Sequence, residues 1–470
     1  YESEGYRDAV VSDPVTTFTR DRTGAEVLVR ITEGPRYGIG TVTFSGETLF
    51  PREDLIKGLG EALDQPYTTQ RVNTMERNLQ FFFKSRGYFT AEVAAESNPE
   101  QFTPTRRMPD GSGYDRLVAV RFTVTPGPLY RFNGATVTGL KQVRPSVVLN
   151  RFRKLSGQVY DPAKLDETYR DLLRTGLFSN LRINSVPQSD NTIRIDITAE
   201  EAKPKEFGAS IGFSSYEGFI VGLRLADRNL FGYGRPLSLE FERSQRAMRA
   251  ELLYVDPWLF ESDNRLRARL YAQDRAEEGY TKRESGGRAD ITRKVTKNIE
   301  LGTFLQFENV EITETAIDPI YLGATAYQIA TFGFTQSYDF RDHPLNPSRG
   351  WVLNTSLDGN VIAGDVSFIR STARLSYYWP LGKQMLLAAG VRGGLIFPLT
   401  SVPIDERFFV GGATTVRSFG ERELGPKSPN GYPIGGEAFT VFNVELDFPI
   451  RGALHGAVFV DAGNLIEQFR

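Results

Sequence analysis

From Glu206 onward the sequence alternates apolar and polar residues with a period of two, and the polar set is charged in segment after segment. In Leu237-Ser-Leu-Glu-Phe-Glu242 the leucines and the phenylalanine share one face, and the serine and glutamates share the other. Arg265-Leu-Arg-Ala-Arg-Leu270 repeats the pattern with three arginines, and Phe442-Asn-Val-Glu-Leu-Asp-Phe448 repeats it with Asn443, Glu445 and Asp447. Successive strand residues project to opposite faces. A soluble antiparallel sheet would place the apolar face inside and wet the other. Full charges on one face throughout suit a transmembrane β-barrel better, with lipid outside and a polar lumen. Thirteen such strands are expected between residues 206 and 462, an odd number. Bacterial single-chain barrels have even numbers, so further strands are expected beyond Arg470. If the first strand runs outward, the segment 399–434 after the eleventh is external, and the turns at 229–234 and 339–350 are periplasmic.

The bulk properties exclude several function classes. The net charge of −2 gives no reason to expect nucleic acid as a partner. There is no cysteine, which excludes thiol nucleophiles, thiolate metal sites and disulfides. The two histidines, His343 and His455, are far apart in sequence, a poor basis for a zinc site or a Ser-His-Asp triad. No phosphate-binding GxxxxGK[ST] occurs. No metal, cofactor or enzymatic activity is therefore expected. No apolar run reaches the length of a helical membrane span, and Tyr1–Arg7 is too polar for a signal peptide.

The first two hundred residues read differently, as repeated modules. Glu33-Gly-Pro-Arg-Tyr37 followed by Gly40-Thr-Val-Thr-Phe-Ser-Gly46 recurs as Pro126-Gly-Pro-Leu-Tyr130 followed by Gly134-Ala-Thr-Val-Thr-Gly139. A second signal, Gly5-Tyr6, recurs as Gly87-Tyr88 and Gly176-Leu177-Phe178. A shared grammar at unequal spacing means repeated units with variable loops. Each unit reads as strand, helix, helix, strand, strand. Pro51 opens a first helix, with Glu53 and Asp54 favouring its N-terminus. Val72, Met75, Leu79, Phe82 and Phe83 recur at helical spacing in the second, which Gly87 ends. Asp161-Pro162 starts the corresponding helix of the next unit. The proline- and glycine-bearing insertion 98–114 reads as a loop. Residues 1–37 are only the tail of a unit, so a longer precursor is expected.

The β-α-α-β-β grammar of residues 1–203 resembles the POTRA domain, which implies a periplasmic module that handles extended client chains. Further on, Asn229-Leu-Phe-Gly-Tyr-Gly234, Tyr254-Val-Asp-Pro-Trp258, Arg341-Asp342 with Asn346-Pro-Ser-Arg-Gly350, Phe409-Val-Gly-Gly412 with Val416-Arg-Ser-Phe419, and Phe459-Val-Asp-Ala-Gly463 occur in order. With the modules, they resemble the BamA/TamA family of outer-membrane assembly barrels. The expected fold is therefore α+β POTRA repeats followed by an antiparallel transmembrane β-barrel, sixteen-stranded in the family. The expected domains are a partial POTRA at 1–37, POTRA domains at 38–128 and 129–203, and a barrel at 204–470 with the long loop 399–434.

That loop holds the candidate site. It carries Gly411, Gly412, Val416, Arg417, Ser418 and Phe419 among aromatics, a composition unlike that of a disordered segment. The resemblance implies that its tip enters the lumen and that Arg417 pairs with carboxylates on the twelfth and thirteenth strands, at Glu445 and Asp461. Alternation separately aims Glu445 inward. Ser418 stands where the family has glycine. Serine disfavours positive φ, so the tip would differ if that conformation were required. The resemblance also implies a lateral gate at the first strand, Phe207, Gly208, Ala209, Ser210, Ile211, Gly212 and Phe213. Its edge would template incoming strands.

The function these expectations converge on is folding and inserting β-barrel proteins into the bacterial outer membrane, with the POTRA domains in the periplasm. Partners would be unfolded barrel clients, outer-membrane lipid, and accessory periplasmic lipoproteins or an inner-membrane-anchored partner. A two-partner secretion pore exporting one dedicated polypeptide is the alternative; a surface enzyme fused to such a barrel and a passive porin fit less well. Trp258, Tyr377, Tyr378 and Trp379 are expected in interfacial girdles, and Gly212, Gly222 and Gly333 where the wall curves.

Overall fold

The computed structural model of the chain describes all residues except 19–23, 61–64, 106–112, 363–364, 383, 453 and 469–470; of Asp365 and Val366 it describes the backbone alone. The chain divides into two compact units. One comprises Tyr1–Leu140, Pro145–Arg174 and Phe178–Glu201; the other comprises Ala202–Arg470 with Lys141–Arg144 and Thr175–Leu177.

The first unit contains the module grammar twice in full. Strand Tyr37–Gly46 leads to α1 (Arg52–Gly58) and α2 (Thr69–Lys84), then to strands Glu92–Pro104 and Arg116–Thr125. The last strand sits in the middle of the sheet, parallel to the first and antiparallel to the second. Helix α2 starts where the Thr68 hydroxyl accepts a hydrogen bond from Arg71 N, at 3.0 Å. It buries Val72, Met75, Leu79 and Phe83 against Val118, Val120, Phe122 and Val124. Each such burial stabilises by about 1.5–3 kcal/mol. The second module repeats this with strand Arg131–Thr138, α3 (Pro145–Arg153), α4 (Pro162–Arg174) and strands Phe178–Pro187 and Thr192–Glu201. One expectation needs correction. The insertion 98–114 is not all loop: the edge strand runs on to Pro104, pairing Thr103 with Leu117 after a register shift between Ser97 and Phe102. Its remainder, 106–112, lies outside the described residues.

The recurrent Gly-Tyr signal makes the joints between modules. Gly87, at φ +98°, accepts a hydrogen bond on its carbonyl from Tyr130 N at 2.8 Å. A β-carbon there would meet Val159 and Leu129 at 2.5 and 2.6 Å. Gly5 accepts from Tyr37 N at the same 2.8 Å, and its added β-carbon would lie 2.4 Å from the Tyr37 carbonyl oxygen.

The second unit is one antiparallel sheet of thirteen strands in chain order. They are β1 (Lys205–Ser214), β2 (Gly218–Asp227), β3 (Leu237–Arg243), β4 (Ala247–Asp256), β5 (Asn264–Glu277), β6 (Tyr280–Lys294), β7 (Ile299–Thr313), β8 (Ala326–Asp339), β9 (Gly350–Ile362), β10 (Asp365–Gly382), β11 (Met385–Pro398), β12 (Ala438–Arg451) and β13 (Leu454–Ile466). Strands β1 and β13 are its two edges. Alternation sets the faces as the sequence implies. On β8, Phe332 and Phe334 are exposed, whereas Tyr327, Ile329 and Thr331 are buried on the opposite, inner face.

One sequence assignment changes here. Tyr377 and Trp379 are exposed on the outer face, but Tyr378 between them lines an inner-face cavity. Gly333 makes room for a ring, since an added β-carbon would meet Phe304 at 2.4 Å. In the turn after β8, Asp342 accepts hydrogen bonds from Ser348 N, Arg349 N and His343 N, and His343 Nδ1 accepts from Asn346 N at 3.0 Å. Both residues hold the turn together.

Candidate functional site

The connection 399–437 between β11 and β12 folds back against the inner face. Its two legs pair with each other at Phe408–Gly436, Val410–Leu424 and Lys427–Pro433. Near its base, Val402, Ile404 and Ile434 are buried among Tyr280, Val310, Ile312, Tyr327, Ile329, Phe368 and Ile396. Near its tip, Val410 and Val416 are buried with Val441 and Leu465. The Phe408 and Phe439 rings lie 4.7 Å apart. The loop is thus packed as a core element.

The tip turns on two glycines. Gly411 and Gly412 have φ of +116° and +93°. A β-carbon on Gly411 would lie 2.4 Å from the Gly420 carbonyl oxygen. Thr415 Oγ1 donates to the Gly411 carbonyl and accepts from Gly411 N, both at 2.8 Å. Ser418 is not among the residues with positive φ, so the tip requires no glycine at that position.

This turn aims Arg417 at the last two strands. Its Nε and Nη2 donate to Asp461 Oδ2 and Oδ1 at 2.7 and 2.8 Å, its Nη1 donates to Glu445 Oε2 at 2.7 Å, and its backbone N donates to Asp461 Oδ2 at 3.0 Å. The fork to Asp461 is the bidentate geometry that gives arginine–carboxylate pairs both strength and orientation. Hydrogen bonding to Asp461 first, and to Glu445 next, raises the guanidinium above its ordinary pKa. The guanidinium also lies 3.5 Å from the centre of the Phe459 ring. Asn443 completes the clamp, donating to Asp461 Oδ1 and to the Thr415 carbonyl, both at 2.8 Å. The Asp461 side chain is 3% exposed and that of Glu445 41%, so one carboxylate is buried and the other half-open. Residue Phe419 of the same motif is exposed.

Sequence reasoning missed Asn443 and Phe459 as members of the site, though alternation places both on the face that carries Glu445 and Asp461. It also missed a second fastening at the loop base. There, Lys282 Nζ reaches Asp405 Oδ2 at 3.0 Å, and the Tyr327 hydroxyl donates to both Asp405 oxygens at 2.8 Å. Arg370 bridges Asp358 and Glu406 at 3.1 and 3.0 Å. Arg422 pairs with Glu277 at 2.5 Å and lies over the Phe409 ring at 3.5 Å. Burial raises the Glu406 carboxyl and Arg370 opposes it. No short motif marks this set, because its partners come from β5, β6, β8, β9 and β10.

The residues expected to form a lateral gate lie on β1. Phe207, Ile211 and Phe213 are exposed on its outer face, and β1 pairs along its length with β2. It forms no part of the clamp.

Comparison with known proteins places these features. The profile of the Omp85 superfamily domain matches residues 229–468. That of the POTRA domain, described as the surface antigen variable number repeat, matches residues 37–127 and 130–202. Over 94% of its length the chain is 24% identical to the outer membrane protein assembly factor BamA of Nitratidesulfovibrio vulgaris, covering 56% of that protein. Over 99% of its length it is 23% identical to the protein of the same name from Neisseria meningitidis serogroup B, covering 61% of it. The chain thus spans less than two thirds of the length of these relatives. The crystal structure of BamA from Haemophilus ducreyi lacking POTRA domains 1–3 has the same fold, with a TM-score of 0.70 at 18% identity, covering 92% of this chain and 88% of that one.

Proposed function

We propose, for a chain that belongs to the Omp85 superfamily, that it folds β-barrel proteins into the outer membrane. It sits in that membrane with its POTRA modules in the periplasm. The feature that carries this reading is the combination of two POTRA modules with an Omp85 sheet whose long loop between β11 and β12 is pinned to the inner face by Arg417. Unpaired backbone groups at a sheet edge bond readily to an incoming strand. On β1, Phe207, Ile211 and Phe213 present an apolar outer face, along which the expected gate would pass a client strand into lipid. The edge strand Glu92–Pro104 of a POTRA sheet offers the same chemistry to an extended client.

The clamp belongs to this mechanism as a positioning device. Arg417 ties the loop tip to β12 and β13 at once, fixing the wall beneath the loop. The process needs no covalent step; the free energy of client folding drives it. Accessory periplasmic lipoproteins, or a partner anchored in the inner membrane, would dock on the POTRA modules. The test is depletion of the protein in its native cell followed by quantitative proteomics of the outer membrane. A joint fall of many unrelated barrels is expected. Loss of one secreted protein alone, with barrels unchanged, would replace this reading with that of a dedicated secretion pore.

A further inference from the structure

Two arginines on the inner face form no ion pair among the described residues. Arg374 on β10 and Arg392 on β11 are direct cross-strand partners, and like charges so opposed destabilise a sheet. Both line a cavity of about 460 Å³ beside the loop tip. Of the carboxylates near them, Glu445 and Asp461 are already committed to Arg417. Glu300 lines an adjoining cavity of about 540 Å³ that the two arginines share, and makes no ion pair with either. Arg392 Nη2 has a long contact to Asn443 Oδ1, at 3.4 Å. Neither arginine forms an ion pair among the described residues. Ser376 and Tyr378 from the same inner face of β10 add hydroxyl groups to the wall.

We propose that Arg374 and Arg392 form an anion site for a phosphate-type oxyanion, either free or carried by a phosphorylated headgroup. Two adjacent guanidinium forks present several N–H donors to one group of oxygens, the arrangement that favours phosphate over a smaller charge. The cavity is larger than a phosphate ion and admits the glycerol portion of a headgroup as well. A bound oxyanion neutralises the opposed pair and draws β10 and β11 together beside the clamp. The site lies on β10 and β11, apart from β1, and is independent of which client the barrel serves.

The test is isothermal titration of the full chain in detergent micelles, in phosphate-free buffer, with inorganic phosphate and separately with sn-glycerol 3-phosphate. Saturable binding of at least one is expected, weakened roughly tenfold or more in R374Q/R392Q and unchanged in R265Q, which alters an inner-face arginine outside the cavity. Tighter binding of glycerol phosphate assigns the site to a lipid-type headgroup; equal binding assigns it to the free ion. Absence of saturable binding to the wild-type protein at millimolar ligand overturns the proposal, and so does binding that survives in R374Q/R392Q. Should the double variant fail to fold, R392K serves in its place. It keeps the charge but loses the fork, and is expected to bind both probes more weakly; unchanged binding there counts against the site.

Discussion

Arg417 makes four hydrogen bonds to two carboxylates, and its removal leaves Asp461 buried with a charge and no cation. Breaking a fully buried pair costs about 3–5 kcal/mol. Glu445 is half-open to water, which screens its share, so Arg417→Ala is expected to destabilise by about 2–3 kcal/mol. Arg417→Lys should recover little of this, because an ammonium cannot bridge both Asp461 oxygens and Glu445 in the same plane. Urea titration of folded barrel in micelles, read by gel mobility, measures both. Gly411→Ala should also loosen the tip, by about 1–3 kcal/mol, from positive φ and collision with the Gly420 carbonyl. Asp342 carries a pH prediction. The Ser348 hydroxyl, then the Arg349, Ser348 and His343 amides, hold its carboxyl well below the ordinary range. Its folded pKa is depressed, so the stabilisation is present above the unfolded value and is lost as pH falls through the folded one. Asp342→Asn should therefore speed amide exchange in the 339–350 turn at neutral pH, and the difference from wild type should vanish in strong acid. At this scale Arg417, Glu445 and Asp461 were legible through a motif and through alternation. Asn443 was not singled out, because an amide on a polar face looks like any other lumenal side chain until the loop arrives above it.

Elements were more legible than residues. Period-two alternation found all thirteen strands of the large sheet, because a charge on the wrong face would enter lipid and register is thereby forced. Helical spacing found α2 for a similar reason. The extension of the POTRA edge strand to Pro104 escaped notice, since its second half, Asn98-Pro-Glu-Gln-Phe102, has turn-forming composition and is held by pairing alone. The Gly-Tyr signal was read as a helix ending, and its second role as a joint appears only where the next module's tyrosine docks. Two predictions belong here. Thr68→Ala removes the α2 cap and should cost about 1 kcal/mol, seen as faster amide exchange in the first turn of α2. Gly87→Val should disrupt the joint by collision with Val159 and Leu129, leaving each module folded but raising protease cutting between them.

Over the whole barrel unit, the loop is fastened at two places that draw on different strands. Its base is tied to β6, β8, β9 and β10 through Lys282, Tyr327, Asp358 and Arg370, and its tip to β12 and β13. Arg370→Ala leaves Asp358 and Glu406 buried without their cation and should cost about 3–5 kcal/mol. Each single variant, R370A or R417A, should still hold the loop by its other fastening, and only the double variant should expose residues 399–437 to protease in intact micelles. Cutting of the loop in either single variant would mean that one fastening alone keeps it in place. The sequence did not foretell the base network because its members are scattered over more than a hundred residues with no shared spacing.

The clamp also fixes an order of events in time. Arg417 precedes both carboxylates in the chain, by 28 residues for Glu445 and 44 for Asp461. While the chain is being threaded from its N-terminus, the loop must wait unpinned until β12 and β13 arrive. The base partners, by contrast, all come earlier than the loop and are in place when it emerges. The protein's own assembly is therefore expected to pass through a stage in which the base is seated and the tip is free. Pulse-labelled folding intermediates should show protection at Ile404 before protection at Val416.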